Sequence, residues 1–216
     1  VYKRQFILSS TGALDMQDLP KSVAIVGGGY IGLELGCALA KLGTEVTVVE
    51  GLGSILAIMG KEIRRPLDLW LKKHKVVVHT ESLARGAELK GKGASRKVEL
   101  TFEKDGSERT VKVDKVLVTV GRKPNTTGWG LANMGVRMDP SGRFIRTDRQ
   151  CRTSVPGVYA IGDVSGEPML AHKASAQGEM VAEIISGLNR EFDKVAIPAI
   201  VFTEPEIVSV GLTPEE

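Results

Sequence analysis

The feature that most constrains the fold is a glycine-rich stretch between a short apolar run and a helical pattern. Ser22–Val26 is rich in β-branched residues, which is typical of a strand buried on both faces. Gly27–Gly32 follows directly with the spacing G-x-G-x-x-G, and apolar residues then recur with helical spacing from Tyr30 to Leu42. A strand, a glycine loop and a helix in this order predict the start of a dinucleotide-binding βαβ unit.

Each glycine of the spaced motif has a predicted physical role. We expect Gly27 to permit a tight turn, Gly29 to let a pyrophosphate approach the backbone, and Gly32 to let the helix pack against the strand. Free amides and the positive end of the helix dipole would then hold the phosphate charge. The other candidate residues of this loop are Gly28, Tyr30 and Ile31.

Glu50 ends the next apolar run, Glu45–Glu50, about 20 residues beyond the glycines, as the dinucleotide fingerprint requires. A carboxylate at this position can accept hydrogen bonds from both hydroxyls of a ribose, and it would repel a 2′-phosphate. No arginine follows it in Gly51–Ser54. The sequence therefore predicts NAD rather than NADP as the ligand.

The following patterns indicate the fold class. Alternating strand and helix patterns predict a right-handed parallel sheet, and Asp105–Gly106 between two alternating runs is a strong hairpin signal. We therefore expect an α/β fold, a Rossmann-like parallel sheet with an antiparallel meander. The elements predicted here are a helix at Lys61–His74 and strands at Val76–His79, Lys97–Phe102, Glu108–Val113 and Val116–Val120.

Beyond Pro124 the pattern of the sequence changes. The elements predicted in this part are a strand at Val158–Ile161, a long helix at Ala171–Gly187 and a strand-like stretch at Ala199–Phe202. Thr213–Glu215 is typical of a helix start. At the other end, Phe6–Leu19 reads as an incoming connection, and residues 1–5 fit no element.

Composition excludes several classes of function. The net charge of +3 is small, and the sequence has no cluster of basic and aromatic residues of the kind that binds nucleic acids. The basic stretch Lys61–Lys75 fits the solvent face of an amphipathic helix, with an anionic partner as the alternative. Without a long apolar run or a signal-peptide pattern, we expect no membrane segment and a cytoplasmic location. Cys37 and Cys151 lie far apart, so we expect reduced structural thiols and no metal site.

Five motifs in a fixed order carry a family resemblance. They are Val26–Gly36, Thr119–Asn125, Thr153–Asp163, Gly166–Ala174 and Phe202–Glu206. In this order they resemble the pyridine nucleotide-disulfide oxidoreductases, and within that family the dihydrolipoyl dehydrogenases. The resemblance extends over nearly the whole chain from Ile7 onward. It implies a connection at residues 1–14, an NAD-binding domain at 15–124, the C-terminal part of an FAD-binding domain at 125–193 and the start of a dimerisation domain at 194–216.

The resemblance also implies roles for individual residues. Asp163, after Gly162, would accept a hydrogen bond from the ribityl chain of FAD, and the amides at Leu170 and Ala171 would face the flavin, with His172 packed beside it. Glu34 would lie close to the nicotinamide and the flavin. Tyr30 would cover the flavin until the nicotinamide displaces it, although a tyrosine at the edge of the core is an equal alternative. The remaining residues implied beside NAD are Leu83, Gly121 and Arg122, of which Arg122 could equally be a structural cap.

The resemblance further implies an enzyme that passes electrons from dihydrolipoyl groups through a disulfide and FAD to NAD. Its partners would be a second copy of itself and the lipoyl domain of a 2-oxoacid dehydrogenase-type complex. The family's Cys-x-x-x-x-Cys pair, first glycine-rich loop and His-Glu pair do not occur in this sequence. We therefore expect an internal fragment without reductase activity of its own. A mercuric or glutathione reductase-like flavoenzyme and a stand-alone NAD-binding module remain alternatives.

Overall fold

The computed structural model of the chain describes residues 5–193 and 196–212, except for the side chain of residue 94. The predicted helix start at Thr213–Glu215 and most of residues 1–5 lie outside this part. In chain order the elements are β1 (Ile7–Leu8), α1 (Ser10–Leu14), β2 (Ser22–Val26), α2 (Tyr30–Lys41), β3 (Glu45–Val49), α3 (Lys61–Lys73), β4 (Val77–His79), β5 (Ser82–Lys90), β6 (Lys97–Lys104), β7 (Ser107–Val113), β8 (Lys115–Val118), α4 (Ala171–Ile185), β9 (Ala199–Val201) and β10 (Ile207–Ser209).

Five strands form a parallel sheet in the order β1-β8-β2-β3-β4. From β2 the chain proceeds to β3 and β4 on one side, whereas β8 and β1 lie on the other side. The strand order therefore reverses at β2. In open parallel sheets of this kind, ligands bind in the crevice beyond the carboxyl ends of the strands at the reversal point. The glycine loop that follows β2 lies at this position.

The two faces of the parallel sheet are covered by different layers. Strands β5, β6 and β7 form an antiparallel meander. Its buried Phe102 belongs to the same apolar cluster as Ala24, Val49 and Val116. Ala24 pairs with Val116 and with the residue two positions before Val49, so these three side chains share one face of the sheet. On the opposite face, α2 packs so closely that a Cβ on Gly36 would lie 2.9 Å from the side chain of Ile25. This arrangement confirms the predicted α/β class.

Two sequence predictions about secondary structure are wrong. The stretch Phe6–Leu19 is not a simple connection, because it contains β1 and α1. Val158–Ile161 is not a strand, because its backbone pairs only through an isolated bridge between Arg152 and Tyr159. The hydrogen bonds Ala160 N–Cys151 O and Thr153 N–Val158 O close this bridge locally. Two hydrogen bonds between residues 151–153 and 158–160 are too few to form a β-ladder.

The described residues form two compact units. The first contains the residues through Gly121 together with Ile200–Ser209, and the second contains Arg122–Ala199 with the residues from Val210. Within the second unit, α4 packs Met180, Val181 and Ile184 around the buried Cys151. Neither Cys37 nor Cys151 forms a disulfide. Among the described residues, no helix combines the length and the apolar composition that crossing a membrane requires.

Candidate functional site

The glycine loop between β2 and α2 is shaped by contacts that leave no room for side chains. Gly27 has a φ of +106°, and a Cβ there would lie 2.7 Å from the carbonyl oxygen of Thr119. A Cβ on Gly32 would lie 2.2 Å from the carbonyl oxygen of Gly27. Since real Cβ atoms do not approach backbone this closely, glycine is required at both positions. Gly27 and Gly32 therefore determine the backbone path of the loop between β2 and α2.

Thr119, which follows β8, was not among the predicted site residues. Its amide donates to the carbonyl of Val26 at 2.8 Å. Its hydroxyl lies 3.1 Å from the carbonyl oxygens of both Val26 and Gly27. The threonine thus attaches the start of the loop to the neighbouring strand across the reversal point of the sheet. The sequence around Thr119 did not indicate this role, because the contact between Thr119 and Gly27 spans 92 residues.

Glu50 directly follows β3, and its carboxylate reaches back to the glycine loop. The Gly28 amide donates to Oε2 at 2.5 Å, and the Leu52 amide donates to Oε1 at 2.7 Å. A carboxylate has about four lone-pair sites, so each oxygen can still accept a further hydrogen bond. The side chain of Glu50 is half-buried. The structure therefore holds this carboxylate in a fixed place beside the loop, with acceptor capacity for two hydroxyl groups.

The amino end of α2 has the features of an anion-binding site. Gly29 is its N-cap residue, and among the described residues no side chain caps the helix. The first amides of a helix have no partner within the helix, so these donors suit a phosphate. A Cβ on Gly29 would meet no atom within 4 Å, in contrast to Gly27 and Gly32. The residues present therefore fit a pyrophosphate that approaches the backbone at Gly29.

Other residues predicted beside the dinucleotide lie around the same crevice of the first unit. Leu83 lies in β5, which the sequence did not predict, and half of its side chain is exposed. The preceding Ser82 donates its amide to the carbonyl of Glu50 at 2.8 Å, which brings Leu83 next to the Glu50 segment. Gly121 follows β8 with a φ of +128°. Tyr30 and Ile31 are half-buried in the first turn of α2.

Glu34 lies in α2, one turn beyond the loop. Its Oε1 accepts a hydrogen bond of 2.9 Å from the amide of Phe202, a residue 168 positions away in sequence. Phe202 is a further residue that sequence reasoning did not place at this site. Arg122 is exposed and belongs to the second unit, and its role stays a prediction.

In the second unit, the predicted flavin residues form a separate cluster. Gly162 has a φ of +71° and begins a short 3-10 turn, Gly162–Ser165, that contains Asp163. The buried Gln177 of α4 accepts the Gly162 amide at 2.7 Å and so attaches the turn to the helix. The half-buried Asp163 carboxylate has no hydrogen-bond or ion partner within residues 5–193 and 196–212. This carboxylate fits the predicted role as acceptor for a hydroxyl of FAD.

The start of α4 resembles the start of α2 in one respect. Leu170 is its N-cap residue, Ala171 is its first residue, and no side chain from the described part of the chain caps it. Its first amides can therefore face a polar ligand atom. His172 points its Nε2 at the carbonyl oxygen of Pro198 at 2.7 Å, so this nitrogen carries the proton. The ring is exposed, and its packing beside the flavin stays a prediction.

Sequence comparison relates the chain to enzymes of known class. The profile of the pyridine nucleotide-disulphide oxidoreductases matches residues 1–178. A dihydrolipoyl dehydrogenase of Geobacillus stearothermophilus is 50% identical over 205 residues, which cover 95% of this chain and 43% of the relative. One from Pseudomonas aeruginosa is 48% identical over 210 residues, with 97% and 43% covered. The chain thus spans less than half the length of these relatives.

Solved structures show a similar arrangement. The HOCl-induced flavoprotein disulfide reductase RclA from Escherichia coli matches with a TM-score of 0.85 at 25% identity, over 97% of this chain and 46% of that chain. LpdA from Mycobacterium tuberculosis matches with a TM-score of 0.81 at 31% identity, over 96% of this chain and 44% of that chain.

Proposed function

Because the chain belongs to the pyridine nucleotide-disulfide oxidoreductase family, we propose that it binds NAD at Gly27–Gly32 and Glu50. The observation that carries this proposal is the carboxylate of Glu50, held against the loop by the amides of Gly28 and Leu52. The pyrophosphate would rest on the first amides of α2, and the ribose hydroxyls would donate to Glu50. Leu83, Gly121 and Arg122 would line the rest of the bound dinucleotide.

We propose that the whole protein carrying this sequence is an FAD- and NAD-dependent oxidoreductase of the dihydrolipoyl dehydrogenase type. A dihydrolipoyl dithiol would lose two electrons and two protons to become the lipoyl disulfide, and NAD⁺ would accept a hydride while one proton is released. When bound, FAD supplies the two-electron redox chemistry. In this chain Asp163 would hold the ribityl hydroxyls, and the amides at Leu170 and Ala171 would stabilise negative charge on the reduced flavin.

The sequence identities with dihydrolipoyl dehydrogenases support the dihydrolipoyl group as substrate. The acidic Glu50 supports NAD as the nucleotide, because a carboxylate repels the 2′-phosphate of NADP. On this proposal, residues 15–124 are the NAD-binding domain, 125–193 part of the FAD-binding domain and 194–216 the start of the dimerisation domain. The partners would be a second copy and the lipoyl domain of a 2-oxoacid dehydrogenase-type complex. A reducing cytoplasm would suit two cysteines that form no disulfide.

Nucleotide titration of the chain and two Glu50 variants tests the NAD site. We expect Glu50→Ala to weaken NADH binding by about 100-fold or more, because two hydrogen bonds to a charged acceptor are lost. Glu50→Gln keeps one acceptor oxygen, but its NH₂ group cannot accept the amide of Gly28 or Leu52, so it should lose affinity too, by less than the alanine variant. Both variants should narrow the preference for NADH over NADPH, since neither repels a 2′-phosphate.

The preference for NADH over NADPH separates ribose recognition from loop damage. A distorted loop would weaken the binding of NADH and NADPH equally and leave the ratio of the two affinities unchanged. If the parent chain bound NADH and NADPH equally, or if Glu50→Ala left both affinities at the parental value, the proposed site would be wrong.

A further inference from the structure

Strand β4 is the last strand of the parallel sheet, and its outer edge is open. Within the described residues it pairs with β3 alone. The carbonyl of His79 accepts the Glu50 amide at 2.8 Å, so the backbone groups of His79 face β3. Neighbouring residues of a strand direct these groups to opposite edges. The N–H and C=O of Val78 therefore face outward, where no described residue pairs with them.

A groove of about 610 Å³ runs along this open edge. The successive residues Val76, Val77 and Val78 all line it, although side chains of a strand alternate between the two faces of the sheet. The groove therefore follows the edge of β4 and not one face of the sheet. Helix α3 and the residues that follow it form the opposite wall, which contains Arg64, Asp68, Leu71, Lys72 and Lys75.

The α3 wall of the groove is positively charged. Three cations and the single carboxylate of Asp68 leave it with a net charge of +2. Lys72 and Lys75 are exposed, and the side chain of neither forms an ion pair with a described residue. From Arg64 to Lys72 the helix advances roughly 12 Å, a distance that an extended segment of about four residues also spans. The wall thus offers spaced positive charges to an extended acidic chain.

Lys75 occupies a backbone position that disfavours lysine. Its φ is +58°, in the left-handed region where a residue with a Cβ is strained and glycine is not. Strained positions of this kind cluster at functional sites. The side chain of Lys75 lines the groove. A lysine that costs stability at this position therefore fits a role in binding.

The same cations make a second copy of this chain an unfavourable occupant of the groove. Two β4 edges side by side would bring like charges together, which is destabilising. Lysines beside an edge strand are a common protection against such self-pairing. An acidic segment has the opposite charge, and its backbone can satisfy the outward N–H and C=O of Val78. The charge of the groove therefore favours an acidic partner.

We infer that the edge of β4 is a docking site for an extended acidic segment of a partner protein. The segment adds a strand beside Val78 and places its carboxylates against Lys72 and Lys75. Hydrogen bonds of the main chain supply the strand pairing, and the cations select acidic side chains. This inference goes beyond the proposed NAD site and does not depend on it.

A short peptide tests the inference. The probe is a six-residue peptide with blocked ends in which glutamate alternates with valine. Fluorescence anisotropy of the labelled peptide measures its affinity for the chain. We expect binding that weakens as the salt concentration rises, because salt screens exposed charges. The same peptide with lysine in place of glutamate should not bind. Equal binding of the two peptides, or no binding of the glutamate peptide, would overturn the inference.

Two substitutions in the groove and one matched control test the role of the lysines. Lys72→Ala and Lys75→Gly should each weaken binding of the peptide about two- to fivefold, the effect of losing one exposed ion pair. Because Lys75→Gly also relieves backbone strain, its loss of affinity cannot be attributed to unfolding. Lys73→Ala is the control, since Lys73 lies on α3 beside Lys72 and does not line the groove. Parental affinity in both groove variants, or an equal loss in Lys73→Ala, would contradict the inference.

Methylated peptides separate strand addition from attraction by charge. A strand pairs along one edge, and its amides alternate between its two edges. Methylation of the glutamate amides blocks one edge of the peptide, and methylation of the valine amides blocks the other. We expect one methylated peptide to bind at least about tenfold more weakly and the other to bind within about twofold of the unmodified peptide. Equal affinities of the two methylated peptides would show attraction by charge alone and would refute strand addition.

A substitution at Val78 tests the same point on the side of the protein. Val78→Pro removes the outward N–H at an edge position that tolerates proline, and Val78→Ala keeps this N–H. We expect the proline variant to bind the peptide about fivefold more weakly than the alanine variant. The methylated peptides decide the question if the proline variant does not fold. Dimerisation of the parent chain that Val78→Pro abolishes would identify a second copy as the occupant and overturn the inference.

Discussion

At the scale of single residues, Gly29 and Gly32 differ in what surrounds them. A Cβ on Gly32 would overlap the carbonyl of Gly27, whereas a Cβ on Gly29 would meet no protein atom within 4 Å. Gly29 also has an ordinary extended backbone, with φ −78° and ψ 179°. Of these two glycines, only Gly32 is therefore required by the fold, and the open space at Gly29 fits the proposed approach of the pyrophosphate.

We expect Gly32→Ala to lower the free energy of unfolding by about 2 kcal/mol, since overpacking costs about 3 kcal/mol and helical propensity recovers about 1 kcal/mol. Gly29→Ala should lower stability by no more than about 1 kcal/mol, the cost of a poorer N-cap residue, and yet bind NADH at least about tenfold more weakly, because its methyl group blocks the approach of the pyrophosphate. Urea unfolding and NADH titration measure the two effects. Parental NADH affinity in Gly29→Ala would mean that the pyrophosphate lies elsewhere.

Sequence reasoning reached the residues of this site that have local signals. Gly27–Gly32 follow their strand directly, and Glu50 lies at a fixed distance along the next strand. Thr119 and the Phe202 amide were not predicted. They reach their partners across 92 and 168 residues, and one of them acts through a backbone group that any residue type supplies.

At the scale of elements, α2 and α3 end in the same hydrogen-bond pattern with different residues. After α3, Val76 donates to the carbonyl of Leu71, and Lys75 adopts a φ of +58°. After α2, Thr44 donates to the carbonyl of Leu39, and the left-handed position is occupied by Gly43 with a φ of +93°. This left-handed position strains any residue with a Cβ.

Lys75→Gly should therefore raise the free energy of unfolding by about 1 kcal/mol and the melting temperature by about 2–4 °C. The reciprocal variant Gly43→Ala should lower stability by a similar amount. Both positions are exposed, so side-chain packing contributes little. Thermal unfolding followed by circular dichroism measures both changes. A lower melting temperature for Lys75→Gly would show that the lysine side chain stabilises the helix end by more than its backbone strain.

The elements that were predicted correctly are those with strong periodicity or turn signals. Strands β2 and β3 are continuous apolar runs, and the hairpin at Asp105–Gly106 has positive φ values of 54° and 70°, as its sequence indicates. Strand β5 was missed because a register shift between Ala84 and Gly86 interrupts its alternation. Strand β1 has two residues, which is too short for any pattern, and it exists through its pairing with β8.

At the scale of the whole molecule, the predicted family resemblance is confirmed by the comparisons. The predicted nicotinamide and flavin cofactors agree with the name of the family and with the flavoprotein relatives. The division into two units depends on contacts between distant segments. The return of Ile200–Ser209 to the first unit has no signal in the sequence, because it is determined by tertiary contacts with α2.

Each unit contains one buried thiol, Cys37 in the first and Cys151 in the second, which makes unit-specific stability measurable. A ligand at 100 times its Kd stabilises the state that binds it by about 2.7 kcal/mol. In moderate urea, we expect NADH at that concentration to slow labelling of Cys37 about 100-fold and to leave Cys151 labelling unchanged. Mass spectrometry of the two labelled peptides measures both rates. Equal protection of both thiols would show that NADH stabilises more than the first unit.

The hydrogen bond between the Phe202 amide and Glu34 also has a consequence for biosynthesis, because Glu34 leaves the ribosome 168 residues before this amide. At about 5–20 residues per second, the nascent dinucleotide helix waits roughly 10 to 30 s for this partner. During that interval the Cys37 side of the helix is accessible to chaperones and to oxidants. A translational pause before codon 202 would lengthen this exposure without changing any contact of the finished protein.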